Sequence, residues 1–181
     1  MEIQEKAPEV IEAVLRGERA AVEDAGRFGE LEQVGYGERE GKKLFLKDYE
    51  ALYLLFTGRL TLTDGKGKKV SFDHLAELCQ ARARDSWTKF IIFRDLRSRG
   101  YVVKDGFGFG TDLRVYERGD FPDKAAKFVV FAMDEGTETK VDDLSESVRQ
   151  IVKMGKEAIV AVIERRGEVI YYKVSRANFH K

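Results

Sequence analysis

Two side chains with usable chemistry stand on alternate positions of one short run, the guanidinium of Arg114 and the phenol of Tyr116. A phenol can pass a proton, and a guanidinium can grip an anion at two points. Both belong to the stretch Arg99 to Gly119, which alternates well enough to form two strands, 101–104 and 112–117. Between them lie Gly106, Gly108 and Gly110. Three glycines are too many for a strand interior and suit a tight, irregular connection, where a bare Cα lets another chain approach closely. Taken alone, such a hairpin reads as ordinary sheet.

Elsewhere, chemistry is sparse. Cys79 is the single cysteine, which excludes an internal disulfide or a cysteine-based metal cluster and reads as buried filler on a helix face. His74 falls in the first turn of the same helix, with no second ligand at helical spacing, and His180 lies in the tail. Gly65 to Lys69 reads as a solvated turn, although its lysines suit phosphate. Arg94, Arg97 and Arg99 line the polar side of another helix, where they either steer RNA or face water.

Composition narrows the field. Lysine plus arginine and aspartate plus glutamate both number 32, so the formal charge is zero. The chain as a whole is therefore not drawn to nucleic acid, and any RNA contact must come from a local patch. Charged residues make up 35% of the 181 residues, which is compatible with surface ion-pair networks of a heat-adapted protein. No run approaches a membrane span, and the first ten residues do not resemble a signal peptide. These features predict a soluble, cytoplasmic protein without membrane partners.

The elements that must position these groups follow from periodicity and punctuation. Residues 10–24 read as a hairpin about Arg16-Gly17-Glu18, with one helix as a competitor. A short helix over 25–35 comes next, and then an apolar step, 44–46, into a helix over 48–57 with Ala51, Leu52, Leu55 and Phe56 on its inner face. Residues 60–62 pair with 69–70. Ser71 caps a helix over 72–85 with Leu75 and Leu78 inward, and Ser86 begins one reaching Arg99 with Phe90, Ile91, Phe93 and Leu96 inward. Beyond the glycine hairpin, 127–133 is a strand apolar enough for burial on both faces, 134–143 an acidic loop, 144–155 a helix, and 158–163 with 168–174 a last hairpin. The fold class is α+β: a small N-terminal α/β domain, 1–85, followed by a C-terminal mixed-sheet domain, 86–181.

The run R-G-Y-V-V-K-x-G-x-x-F-G-x-D-x-R-V-Y-x-x-G, from Arg99 to Gly119, closely resembles the C-terminal domain of archaeal tRNA-splicing endonucleases. E-A-L-Y-L-L-x-x-G (Glu50 to Gly58), F-R-D-L-R-S-R-G (Phe93 to Gly100) and the closing I-V-A-V-I-E and V-I-Y-Y-K-V are similar to the same family, so the likeness runs from about Tyr36 onward. The resemblance implies metal-independent cleavage of precursor tRNA at bulge–helix–bulge sites. The ribose 2′-hydroxyl attacks the adjacent phosphate, leaving 2′,3′-cyclic phosphate and 5′-hydroxyl ends, and no cofactor or metal is expected. The family uses a tyrosine, a histidine and a lysine. Tyr116 matches the tyrosine and Lys156 the lysine, while Ala125 occupies the histidine's place. Arg149, seven residues before Lys156, matches an arginine that holds an extruded bulge base, and Lys173 occupies the site of a second. With Arg114, these are the expected RNA-binding residues.

The resemblance also implies an assembly of four endonuclease units, as a homo- or hetero-oligomer, in which an acidic loop of one unit plugs a basic cleft of another. Asp134, Glu135 and Glu138 lie in the matching loop, and 169–174 could pair edge to edge with a two-fold mate. Two origins fit the alanine: a natural structural subunit, or a substitution made for study. The altered lead into Lys156, Ile151-Val152-Lys153-Met154-Gly155, favours the first. The expectation is thus an RNA-cleaving enzyme at the level of the assembly, with this chain structural or catalytically impaired. The alternative is a non-catalytic RNA-binding or assembly module.

Overall fold

The computed structural model describes residues 10–108 and 110–177. These divide into two compact units between Phe90 and Ile91, with the sequence expectation for the boundary lying at Asp85. The fold is α+β, each unit carrying its own mixed five-stranded sheet.

In the first unit, β1 (Ile11–Arg16) and β2 (Arg19–Val22) form the expected hairpin, with Gly17 at φ 61° making the turn. The helical alternative loses because Ile11 and Ala13 are buried while Glu12 between them is exposed, a period of two. A 3-10 turn (Ala25–Arg27) leads into α1 (Phe28–Gln33), and then come β3 (Glu38–Glu40), β4 (Lys43–Leu46), α2 (Asp48–Phe56), β5 (Leu60–Thr63) and α3 (Phe72–Arg82). The sheet order is β3-β4-β2-β1-β5, with β1 and β5 parallel. A carboxylate pins the start of α2. Glu50 is 1% exposed, and its Oε2 accepts from the backbone N–H of Lys47 (2.9 Å) and of Gly37 (3.0 Å), which compensates its loss of water. Gly37 must be glycine, since its φ is 72° and an added Cβ would stand 2.0 Å from Leu44 Cδ2.

Two helix faces differ from expectation. In α2 the buried residues are Tyr49, Glu50, Ala51, Leu52 and Leu54, while Phe56 is 55% exposed and packs at a tilt against Phe72, ring centroids 6.1 Å apart. In α3, Leu75, Ala76 and Cys79 are buried and Leu78 is exposed, so the i, i+1, i+4 stripe faces inward and packs beside α2. Burial, with Asp48 nearby, pushes the Cys79 thiol up to about 11, so it stays a neutral core group. His74 is exposed, and its backbone N–H is capped by Ser71 Oγ at 3.2 Å.

The second unit begins within α4 (Ser86–Ser98) and continues through β6 (Val102–Gly108), β7 (Thr111–Tyr116), β8 (Phe128–Asp134), α5 (Val141–Lys153), β9 (Glu157–Ile163) and β10 (Val169–Val174). Its sheet runs β10-β9-β8-β7-β6, antiparallel except for β8 beside β9, which α5 connects. Strand β8 is buried on both faces, as expected: Val129 and Phe131 pack with Val148, Ile151 and Ala158 under α5. Phe128 and Val130 point the other way, into a cavity of about 240 Å³ shared with Leu96, Val115, Ile159 and Tyr171.

Two expectations for this unit need correction. Gly106 and Gly108 belong to β6 itself, which runs on through a register shift between Asp105 and Gly108, so a bulge replaces part of the expected loop. The acidic stretch is not one loop either. Asp134 ends β8, and Asp142 and Asp143 fill the first turn of α5, where the positive end of the helix dipole favours carboxylates.

Candidate functional site

The register of three neighbouring strands decides which residues meet. Val115 on β7 lies opposite Phe128, the first residue of β8, and Phe128 lies beside Glu157, the first residue of β9. Tyr116 at the end of β7, residues 125–127 before β8, and Lys156 before β9 therefore gather at one end of the sheet. Alternation fixes the face. Arg114 is the partner of Val129, which packs under α5, so Arg114 and Tyr116 project to the α5 side of the sheet. Ala158 packs there too, and Lys156 lies two residues before it.

Lys156 is held at both ends. Gly155, at φ 69°, closes α5 with paired back-bonds: its N–H donates to Val152 O (3.0 Å), and the N–H of Lys156 donates to Ile151 O (3.1 Å). The ammonium Nζ donates to the Ala126 carbonyl at 2.5 Å and stands 5.4 Å from the centroid of Phe107. The guanidinium carbon of Arg114 stands 5.2 Å from the same ring. Its Nε is buried and has no hydrogen-bond partner among the described residues. Tyr116 rests edge-on against Phe121, centroids 4.9 Å apart.

Ala125 is exposed between two lysines that carboxylates already engage. Lys124 Nζ reaches Asp120 at 2.7 Å and Lys127 Nζ reaches Glu117 at 2.5 Å. In each case the hydrogen bond to the carboxylate is the main reason the ammonium is held above its ordinary value. Neither lysine is thereby a better proton donor. His74 lies in the first unit, and His180 lies outside the described residues.

The expected RNA-binding residues do not all come together. Arg149 on α5 pairs with Glu146 and lines an open groove with Val148, Lys153, Val174 and Arg176. Lys173 is elsewhere. It pairs with Ile159 in the register and its Nζ reaches Glu157 Oε2 at 2.9 Å, on the sheet face away from α5. The cations that share the groove with Arg149 are Lys153, on α5 itself, and Arg176, beyond the end of β10. Val174, two positions earlier, packs on the α5 side, and this alternation was a signal the sequence already carried. Sequence reasoning also passed over Phe107, whose only mark was an aromatic ring between two glycines.

Of the expected oligomer contacts, Glu135 is engaged within its own chain. Its Oε2 accepts from the backbone N–H of Arg165 at 3.0 Å, and its Oε1 lies 3.3 Å from the Arg165 guanidinium. Asp134 ends β8 and Glu138 is exposed in the irregular segment between that strand's turn and α5. Among the described residues, no group of three His, Cys, Asp or Glu side chains is placed to hold a metal ion, and no helix is long and apolar enough to cross a membrane.

The comparisons with known proteins agree on the family. Residues 11–76 match the tRNA intron endonuclease N-terminal domain, and residues 86–171 match the tRNA intron endonuclease catalytic C-terminal domain. The chain is 34% identical over 172 residues to a tRNA-splicing endonuclease of Thermococcus onnurineus, covering 94% of this chain and 99% of that one. It is 34% identical over 171 residues to that of Pyrococcus furiosus, 94% and 98% of the two chains. For Methanococcus vannielii the figures are 30% over 169 residues, 93% and 96%. With both domains matched in order and the alignments spanning nearly its whole length, the chain belongs to the tRNA intron endonuclease family.

Proposed function

We propose that the protein is a subunit of a tRNA-splicing endonuclease that removes introns from precursor tRNA at bulge–helix–bulge sites, and that this chain is structural or catalytically impaired. The observation that carries the reading is the arrival of Tyr116 and Lys156 at one end and one face of the sheet, with exposed Ala125 on the connection before the strand between them.

The reaction needs three services. A base takes the proton of the 2′-hydroxyl, whose oxygen forms a bond to phosphorus. A cation balances the charge that gathers on the phosphorane oxygens. An acid protonates the 5′-oxygen as its bond to phosphorus breaks. Tyr116 is suited to the first and Lys156 to the second. The third has no provider at Ala125. Since a general acid contributes roughly 10²–10⁴-fold in rate, the chain alone is nearly silent. Arg149 and Arg176 grip the RNA in the groove beside α5, and four units assemble into the working enzyme.

Incubating bulge–helix–bulge RNA with the chain alone, and then with an active family member as partner, tests the reading. Cyclic phosphate ends that appear only in the mixture, above the partner's own level, support a structural subunit. Equal cleavage by partner alone, with no mixed assembly by native mass, overturns the subunit reading and leaves a non-catalytic RNA-binding module.

A further inference from the structure

The proposed reaction says nothing of how the Lys156 ammonium is kept in place, and Phe107 answers that. It sits in the irregular end of β6, 37% exposed, with Gly106 before it and Gly108, at φ 83°, after it. The register shift between Asp105 and Gly108 carries this ring out of the regular ladder. Two cations lie within cation–π reach of it, Lys156 Nζ at 5.4 Å and Arg114 Cζ at 5.2 Å.

Among the described residues, neither cation pairs with a carboxylate. Lys156 donates to a neutral carbonyl, that of Ala126. Arg114 keeps a buried Nε–H that no group among the described residues accepts. Two like charges at one ring repel, and an unmatched buried donor costs free energy. An anion settling against both would relieve the repulsion, and the negative face of the ring attracts both cations until it does.

We propose that Phe107 is a positioning residue. Its ring seats the Lys156 ammonium and the Arg114 guanidinium together as a two-cation cradle for a phosphodiester anion. The proposal rests on the reading of Lys156 given above and deepens it, since it adds a residue that touches no reacting atom.

The test uses the full chain with its lysines converted to ¹³C-dimethyllysine, the Lys156 signal being the one lost in Lys156→Arg. A methyl group near an aromatic ring is shifted by the ring current, a signature that a merely structural role for Phe107 would not supply. The shift is expected to vanish in Phe107→Leu and to persist in Phe107→Tyr. In an Ala125→His background, Phe107→Leu lowers kcat about 2- to 30-fold with KM unchanged, and Phe107→Tyr restores it. A Lys156 signal that is the same in the parent and in Phe107→Leu overturns the proposal, as does unchanged kcat after the shift is lost. If the shift vanishes as expected while the Ala125→His background cleaves nothing, the seat stands and the reaction assigned to it falls.

Discussion

Arg19 in the first unit and Arg114 in the second make the same kind of ring contact with opposite settings. Arg19 stands 3.9 Å from the Phe45 centroid and also grips both oxygens of Glu40, at 2.7 and 2.8 Å. Around it, Arg16 and Lys43 share Glu23, Arg39 pairs with Glu32, and Arg82 pairs with Asp48. Arg114 shares Phe107 with Lys156 and has no such partner among the described residues. A formal charge of zero therefore hides an uneven distribution. The first unit pairs these cations with its own carboxylates, while at one end of the second two cations share a ring and, among the described residues, no carboxylate. Weak attraction over the whole surface and strong attraction at one place are compatible.

The comparison can be broken most forcefully at Ala125. Ala125→His should raise RNA cleavage roughly 10²–10⁴-fold over the parent in single-turnover assays. In that background Lys156→Ala should remove about 10²–10³-fold, whereas Arg19→Ala should leave the rate unchanged. The first unit should answer in stability instead. Glu50→Ala removes the buried carboxylate that accepts from the N–H groups of Lys47 and Gly37 and should cost about 1–3 kcal/mol in denaturant unfolding, with RNA affinity unaltered. Smaller effects belong to the groove: Arg149→Ala and Arg176→Ala should each flatten the slope of log affinity against log salt by about 0.7–0.9, and Lys173→Ala should not.

The smallest effect is a pH dependence confined to the first unit. Glu40 is held below its ordinary 4.5 chiefly by its hydrogen bond from Arg19, and Glu23 by those from Lys43 and then Arg16. Lowered folded values mean that their stabilisation is present above about pH 4.5 and is lost as the pH falls through the folded values. Melting curves across that range should shift less in Glu40→Gln than in the parent.

Much of this was legible in the chain because local signals and tertiary demands agree. Residues 10–24 alternate and carry Gly17 where a turn must reverse. The apolar run of β8 announced burial on both faces, and Gly155 marked the end of α5, hence the place of Lys156. What escaped had at most a weak local signal. β3 is three exposed charged residues, Glu38–Glu40, made a strand only by pairing with β4. The start of α5 hid among the carboxylates that favour it. Lys173 and Arg176 differ in which side of the sheet they take, a matter of strand register invisible to composition. Phe107 meets Arg114 and Lys156 only after strands far apart in sequence have paired.

The most direct measurement is analysis of the RNA ends produced by the Ala125→His chain beside the same chain carrying Tyr116→Phe. If Tyr116, residue 125 and Lys156 surround one scissile phosphate, the first yields 2′,3′-cyclic phosphate and 5′-hydroxyl ends and the second almost none. An Ala125→His chain that folds, binds the RNA and still cuts nothing would contradict that arrangement.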